Sequence, residues 1–310
     1  MELILVLVSA TALDLALGDP PDALHPVAWM GRLISYLERS GLKPGPAGQF
    51  IYGVLMTLFI VALFTVSTYF LLFYLEQANT IAGIIVAAIV LKLTFSVRGM
   101  RRTALKIKNL LADDKLEETR FELRALVSRN TKNLSEPMLA SSAIESVAEG
   151  TCDSVVAPLF YFMLFGVPGA IGYRAVNTLD SMIGYHGKYE YLGKFASILD
   201  DILNFIPARL TALLIIFAAY VRRRRGRKAW HTALWEHTET ASPNAGWPMA
   251  ATAGALSVRL EKPGQYVLGK DNATPTPAAI HNSVQIFMIA TLAWIMICLI
   301  AGGIQLAVTT

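Results

Sequence analysis

Cysteine is nearly absent: Cys152 and Cys298 are the only two in 310 residues, too few for a disulfide framework or a zinc site built from thiolates. Charge is scarce as well. Asp, Glu, Lys and Arg make up 16% of the chain against 54% hydrophobic residues, and a mean hydropathy of +0.48 excludes an ordinary soluble domain of this length. The familiar signatures of phosphate binding and nucleophilic catalysis are missing: there is no G-x-x-x-x-G-K-[ST], no G-x-G-x-x-G after a strand and no G-x-S-x-G. His231, His237 and His281 show no metal-ligand spacing. No internal repeat is visible, which argues against a transporter built from two matching halves.

What is present is long apolar sequence. Residues 50 to 75 carry no charge, and at about 1.5 Å per residue such a run crosses a hydrocarbon core of roughly 30 Å. Residues 81 to 97 and 284 to 310 read the same way, with Lys92 close enough to an end to snorkel. The N-terminal stretch has Glu2 where a signal peptide carries basic residues and Asp14 within its apolar part, so it reads as a retained first helix. Two further stretches, 155 to 172 and 203 to 221, contain Pro158, Gly166, Pro168 and Gly169, and Pro207 with Arg209. They read as broken or re-entrant segments lining a cavity, or as full crossings. The expectation is an all-α polytopic membrane protein with about four to six membrane segments and cytoplasmic helical loops.

Lys and Arg crowd into 98 to 132 and into "RRRRGRK" at 222 to 228, which places both in the cytoplasm and the N-terminus outside. Residues 18 to 49 then lie inside. The polar segment 173 to 202 falls outside if both broken stretches cross, and at the inner face if neither does. The chain reads as one integral membrane domain, 1–310, with a charged helical insertion at 98–152 and a cytoplasmic loop at 222–283. The arginine run is an orientation signal in contact with anionic lipid, and no nucleic-acid partner is expected.

The polar residues fall into groups. Asp19-Pro20-Pro21 and His25-Pro26 are turn chemistry, while Asp14 inside an apolar helix needs a partner or a function. Glu145, Glu149 and Asp153 are four apart, so on an α-helix each drifts only about 40° and all three share a face. Oxygen ligands of that kind suit Mg²⁺; Arg129 or Arg124 could balance them instead. In "YRAVNTLDSMIGY", Arg174, Asn177, Ser181 and Gly184 recur at helical intervals with Asp180 beside them, a face of cation, amide, carboxylate and hydroxyl that reads as a binding face. Asp200, Asp201, Asn204 and Arg209, taken alone, read as helix capping. The small residues of "ASPNAGWPMAATAGAL" read as helix contact.

Together, "GDPPDALHPVAWMGRLI", "SRNTKNL", the block from Ala143 to Tyr185, "DDILNFIPARLT" and "PNAGWPMAATAGAL" resemble the cobalamin biosynthesis family of adenosylcobinamide-phosphate synthases, the cobinamide synthase membrane proteins. The blocks run in the family's order across most of the chain. Asn130 stands where the family usually has an acid, and Gly150 where it usually has asparagine after the glutamate. The resemblance implies an ATP-dependent amide ligase joining adenosylcobyric acid to (R)-1-amino-2-propanol phosphate, with Mg²⁺, in the cell membrane, its site facing the cytoplasm and other late pathway enzymes as partners. It implies that the central acidic and Arg/Asn/Asp blocks form the active site, in which we expect Glu145, Glu149 and Asp153 to hold Mg²⁺ and Arg174 and Arg129 to clamp phosphate. Asp180 would be the base, helped by Asn177 and Ser181. Asp19 and His25 would close one side, and Asp200, Asp201, Asn204 and Arg209 would complete the site. A non-catalytic membrane sensor or scaffold is the rival reading.

Overall fold

The computed structural model describes every residue except Met1, Pro44, Ser128 and Thr310, and the backbone alone of Thr309. Among the described residues five helical stretches are long and apolar enough to cross a membrane: Pro46–Ala78, Thr80–Ala112, Glu136–Ile183, Lys194–Val221 and Pro277–Val308. The protein is a multi-pass, almost wholly helical membrane protein. The chain, expected as one domain, divides into two compact units.

The first unit comprises Met1–Ser96, Ala157–Asn204 and Ile297–Thr310. It holds helices α1 (Glu2–Leu17), α2 (Pro26–Gly41), α3 (Pro46–Ala78) and α4 (Thr80–Lys92), then α8 (Ala157–Ile183) and the start of α9 (Lys194–Val221). Helix α1 packs against α4, and α3 and α2 pack against α8. The core is built at helical spacing: Ile171, Ala175, Leu179 and Ile183 of α8, each four apart, meet Met30 and Ile34 of α2 and Met56 and Ile60 of α3. Only 22% of the most apolar window of α3 is buried. Leu55, Leu58, Phe59 and Leu63 point outward, as residues bathed in lipid do.

Boundaries follow local chemistry. Gly18, at φ 72, closes α1 in the left-handed cap conformation and donates to the Asp14 carbonyl at 2.9 Å. Pro26 starts α2 with His25 as its N-cap, and Nδ1 of that histidine accepts from the Val27 N–H at 3.2 Å. Asn79 alone joins α3 to α4, its Oδ1 accepting from Ala82 N–H at 3.0 Å.

The two stretches read as broken behave differently. Helix α8 is interrupted at Gly166, whose φ of 66 and ψ of −163 are open only to glycine, with Pro168 two residues on. Helix α9 is continuous through Pro207, and Thr211 Oγ1 donates to the Pro207 carbonyl at 2.7 Å. The expected break in 203–221 is therefore absent.

The second unit comprises Val97–Val156 and Phe205–Met296, so the 98–152 and 222–283 segments fall in the same unit. It contains α5 (Val97–Ala112), α6 (Leu116–Leu123), α7 (Glu136–Thr151), a π-helical turn (Cys152–Val156), α10 (Gly226–Glu236), α11 (Gly246–Leu256) and the first part of α12 (Pro277–Thr309). Gly254 brings α11 against α10: a Cβ there would meet Ala229 Cα and the Lys228 carbonyl at 2.7 Å, the close contact expected of small residues. One feature departs from all-α. Strands β1 (Leu260–Lys262) and β2 (Tyr266–Leu268) form an antiparallel hairpin with Leu260 opposite Leu268, turned at Pro263 and Gly264 (φ 73).

Gly166→Ala is expected to destabilise the protein by about 1–3 kcal/mol, read as a lowered thermal midpoint in detergent; an unchanged midpoint would show that the backbone at 166 relaxes without strain.

Candidate functional site

In the first unit the helical interval of α8 turns Tyr173, Arg174 and Asn177 toward α9. The Tyr173 hydroxyl donates to Asn204 Oδ1 at 2.9 Å, Asn204 Nδ2 donates to Asp200 Oδ2 at 2.9 Å, and Asn177 Nδ2 reaches Asp200 Oδ1 at 3.4 Å. Arg174 donates to Asn177 Oδ1 at 3.2 Å. The result is one chain of hydrogen bonds, Tyr173–Asn204–Asp200–Asn177–Arg174, in which Asp200 and Asn204 are nearly inaccessible. Tyr161 stacks on Tyr173 with ring centroids 5.3 Å apart and donates to the Leu203 carbonyl at 2.9 Å.

Asp200 is no helix cap. Helix α9 begins six residues earlier, at Lys194, so this carboxylate lies within the helix and takes amide N–H donors from two helices. Asp180 and Asp201 are near enough to act on it electrostatically. Asp180 faces Ser197 and lies over Gly184, where an added Cβ would come within 2.0 Å of Asp180 Oδ1. The predicted face is thus assembled for Arg174, Asn177, Asp180 and Gly184. Ser181 is exposed and stands apart from it.

The 18–25 loop joins this region through electrostatics. Asp19 accepts from Lys92 Nζ at 2.5 Å and from Ser96 Oγ at 2.6 Å, and Lys92 also lies 3.7 Å from Asp14. Lys92 does not snorkel: it is 5% exposed, between two carboxylates. Partial burial would raise the Asp19 carboxyl, but the hydrogen bonds from Lys92 and Ser96 outweigh it and hold the group below its usual range. His25 is shifted down, first by burial and then by the charges of Lys92 and Arg174, although Asp19 and Asp22 pull the other way. A neutral ring is what its capping Nδ1 requires, since a protonated nitrogen accepts no hydrogen bond.

In the second unit Glu145 is 2% exposed and saturated. Arg129 pairs with its Oε2 at 2.5 Å, the Tyr266 hydroxyl donates to Oε2 at 2.8 Å, and Ser141 Oγ donates to Oε1 at 2.6 Å while accepting from the Glu261 N–H at 2.8 Å. The hairpin is thereby pinned to α7. Burial and the neighbouring Glu145 carboxylate push the Tyr266 hydroxyl far up, so it stays a donor.

The expected trio of magnesium ligands is not assembled. Glu145 is buried and claimed by Arg129, Glu149 is exposed, and Asp153 is half-buried in the π-helical turn, where 3.6-residue spacing no longer holds. Among the described residues no three His, Cys, Asp or Glu side chains gather as a metal ion needs. These residues do not fit Mg²⁺. Arg129 is correspondingly a partner of Glu145, not an open phosphate clamp. Ser128, which begins "SRNTKNL", lies outside the described residues; Asn130 Oδ1 accepts from Lys132 N–H in a local turn. At Gly150 a Cβ would meet Met100 Cε at 2.3 Å.

Arg209 lies in the second unit, its guanidinium 3.6 Å from the Phe205 ring centroid and 5.1 Å from that of Trp247, donating to Asn244 Oδ1 at 3.2 Å. Trp247 stacks on His237 at 3.9 Å. Sequence reasoning passed over Tyr173, Ser197, Trp247 and Tyr266. A tyrosine beside Arg174 was the available signal for the first; the others are recognisable only from what they touch.

A family model described as CobD/Cbib protein matches residues 7–301. "Cobalamin biosynthesis protein CobD" of Dehalococcoides mccartyi (strain CBDB1) is 52% identical over 297 residues, 96% of each chain. "Probable cobalamin biosynthesis protein CobD" of Methanothermobacter thermautotrophicus is 39% identical, covering 99% of this chain and 100% of that one. Its namesake in Thermococcus kodakarensis is 40% identical over 95% of both. No solved structure matches.

The His25 geometry sets a pH dependence. Because the folded ring holds a proton less tightly than the free side chain, its contribution to stability is full above the ordinary value of 6.5 and is lost as pH falls from there toward the lowered folded value. The thermal midpoint should drop between pH 7 and pH 5, and drop less in His25→Asn, which still caps α2. An equal drop in both proteins would remove His25 as the cause.

Proposed function

The chain belongs to the CobD/Cbib family, and from that premise we propose that it works in cobalamin biosynthesis as an ATP-dependent amide ligase, joining adenosylcobyric acid to (R)-1-amino-2-propanol phosphate. The observation that carries this reading is the family match along residues 7–301. The lipid bilayer is its medium, and the clustering of Lys and Arg at 98–132 and 222–228 supports a site facing the cytoplasm. Other late enzymes of the pathway are its proposed partners.

A carboxylate does not acylate an amine unaided. In the proposed route an oxygen of the corrinoid carboxylate takes the γ-phosphoryl group of ATP and ADP leaves. The neutral amine then attacks the acyl carbon, the bond from that carbon to the phosphate oxygen breaks, inorganic phosphate leaves and the nitrogen loses one proton. We assign the chain's part in these steps to the first unit. Arg174, held by Asn177, offers N–H donors to the charge that develops on the phosphoryl oxygens. Asp180, set over Gly184 and opposite Ser197, takes the proton from the amine. Asp200 and Asn204 fix the α9 side of that arrangement, and His25 with Asp19 borders it.

One observation favours a second reading, a non-catalytic membrane sensor or scaffold: the most deeply buried acid of α7, Glu145, is neutralised by Arg129 of the same chain. The two readings part on turnover. Detergent-solubilised protein given both substrates and ATP should form the amide product and ADP, measured by mass spectrometry. Asp180→Asn should lower the rate roughly 10²–10⁴-fold, while Ser181→Ala, at an exposed position, stays near wild type. No ATP-dependent product from the wild type would leave the scaffold; full turnover in Asp180→Asn would remove Asp180 as the base.

A further inference from the structure

Helix α2 is amphipathic, with one face buried and the other exposed. Met30 and Ile34 are buried in the first unit's core. On the opposite side Trp29, Arg32, Tyr36 and Arg39, spaced three, four and three apart, are all exposed and so form one stripe. Beside that stripe lies a groove of about 460 Å³, within the roughly 300–1,000 Å³ usual for small-ligand sites. Arg32, Ser35, Tyr36 and Arg39 line it, with Gly31 and Met182 of α8 bounding it.

The groove is electropositive without internal compensation. Arg32 makes only long contacts to main-chain carbonyls, Ala28 at 3.3 Å and Asp22 at 3.5 Å. The one acid of α2, Glu38, is turned away, accepting from the Tyr189 hydroxyl at 3.0 Å with Lys188 at 3.7 Å. Among the described residues no carboxylate lies within ion-pair distance of Arg32 or Arg39. Two guanidinium forks flanking two hydroxyls are suited to a phosphate group, which each fork can bind through paired N–H donors.

The surroundings select the kind of phosphate. Residues 42–45 alone separate α2 from the membrane-length α3, so the arginines sit immediately beside a span, where basic side chains meet lipid head groups. Exposed Trp29 and Tyr36 are the aromatic types that settle at a membrane–water interface, and Met182 gives the groove an apolar wall. We propose that the α2 groove is a binding site for the phosphate head group of an anionic phospholipid.

The test titrates the purified full-length protein in detergent with phosphatidylglycerol or phosphatidylcholine and counts bound lipid by native mass spectrometry. The wild type should bind phosphatidylglycerol more tightly than phosphatidylcholine. Arg32→Gln with Arg39→Gln should weaken phosphatidylglycerol on the order of five-fold for each arginine and leave phosphatidylcholine unchanged. Gly31→Leu, which keeps both charges but puts bulk against Met182 Sδ, only 3.4 Å from a Cβ at that position, should weaken it too. Thermal midpoints equal to wild type certify folding; both arginines are exposed, and a misfolded double variant is replaced by the two single ones. Unchanged affinity in the arginine variant overturns the site. Loss in that variant with none in Gly31→Leu assigns the effect to surface charge instead of the groove. Displacement of the lipid by excess O-phosphoethanolamine, itself bound with the same arginine dependence, would make the occupant a soluble phosphate ester and overturn the lipid assignment.

Discussion

A carboxylate buried between helices must be met by donors from its neighbours, because no water is at hand there to solvate it. Asp200 meets that demand with Asn204 one turn along its own helix and Asn177 across on α8. The two bonds that cross between the helices fix their rotation and register, since a slip of either by one residue would carry the Asn177 amide off Asp200 and the Tyr173 hydroxyl off Asn204. Tyr173 and Arg174 extend the chain at its two ends. Apolar packing alone specifies register weakly between helices bathed in lipid, where tails are as apolar as the side chains.

The same rule recurs elsewhere. Asp14, Asp19 and Lys92 tie α1 and the loop after it to α4, and Glu145 ties the β-hairpin to α7. Each pairing makes a costly buried charge serve as a locating device, a use of buried ion pairs better attested than net stabilisation. Around the first unit's cluster the protein also keeps groups that packing alone would not ask for: Asp180 over a glycine, Arg174 beside a neutral His25. That surplus over structural need is what links the fold to the chemistry proposed for it.

Much of this was legible in the sequence, for identifiable reasons. Unbroken apolar runs marked the spans, because the bilayer imposes length directly. The glycine at 166 marked a helix break, because few residues tolerate its backbone angles. The face at 173–184 was legible from helical periodicity, except Ser181. What failed did so where partners are distant in sequence. Lys92 read as snorkelling because its mates, Asp14 and Asp19, come from the far end of the first unit's sequence. Asp200 read as a cap because the true start of α9 at Lys194 carries no capping signature. Glu145, Glu149 and Asp153 read as one face because a π-helical turn cannot be seen in a four-residue spacing; Arg129, named from the sequence as a group that could balance them, does pair with Glu145, while Tyr266 arrives from a remote segment. The hairpin was not read, because its strands, Leu260–Lys262 and Tyr266–Leu268, are only three residues each and too short to show an alternating pattern.

The most direct measurement is a double-mutant cycle across the α8–α9 ladder: Asn177→Ala, Asp200→Ala and the pair, each unfolded reversibly in mixed micelles. If Asp200 is held by Asn177, losing the amide matters much less once the carboxylate has gone, and the cycle gives a coupling of about 0.5–3 kcal/mol. Effects that simply add, to within about 0.3–0.5 kcal/mol, would contradict the central role given to that buried carboxylate.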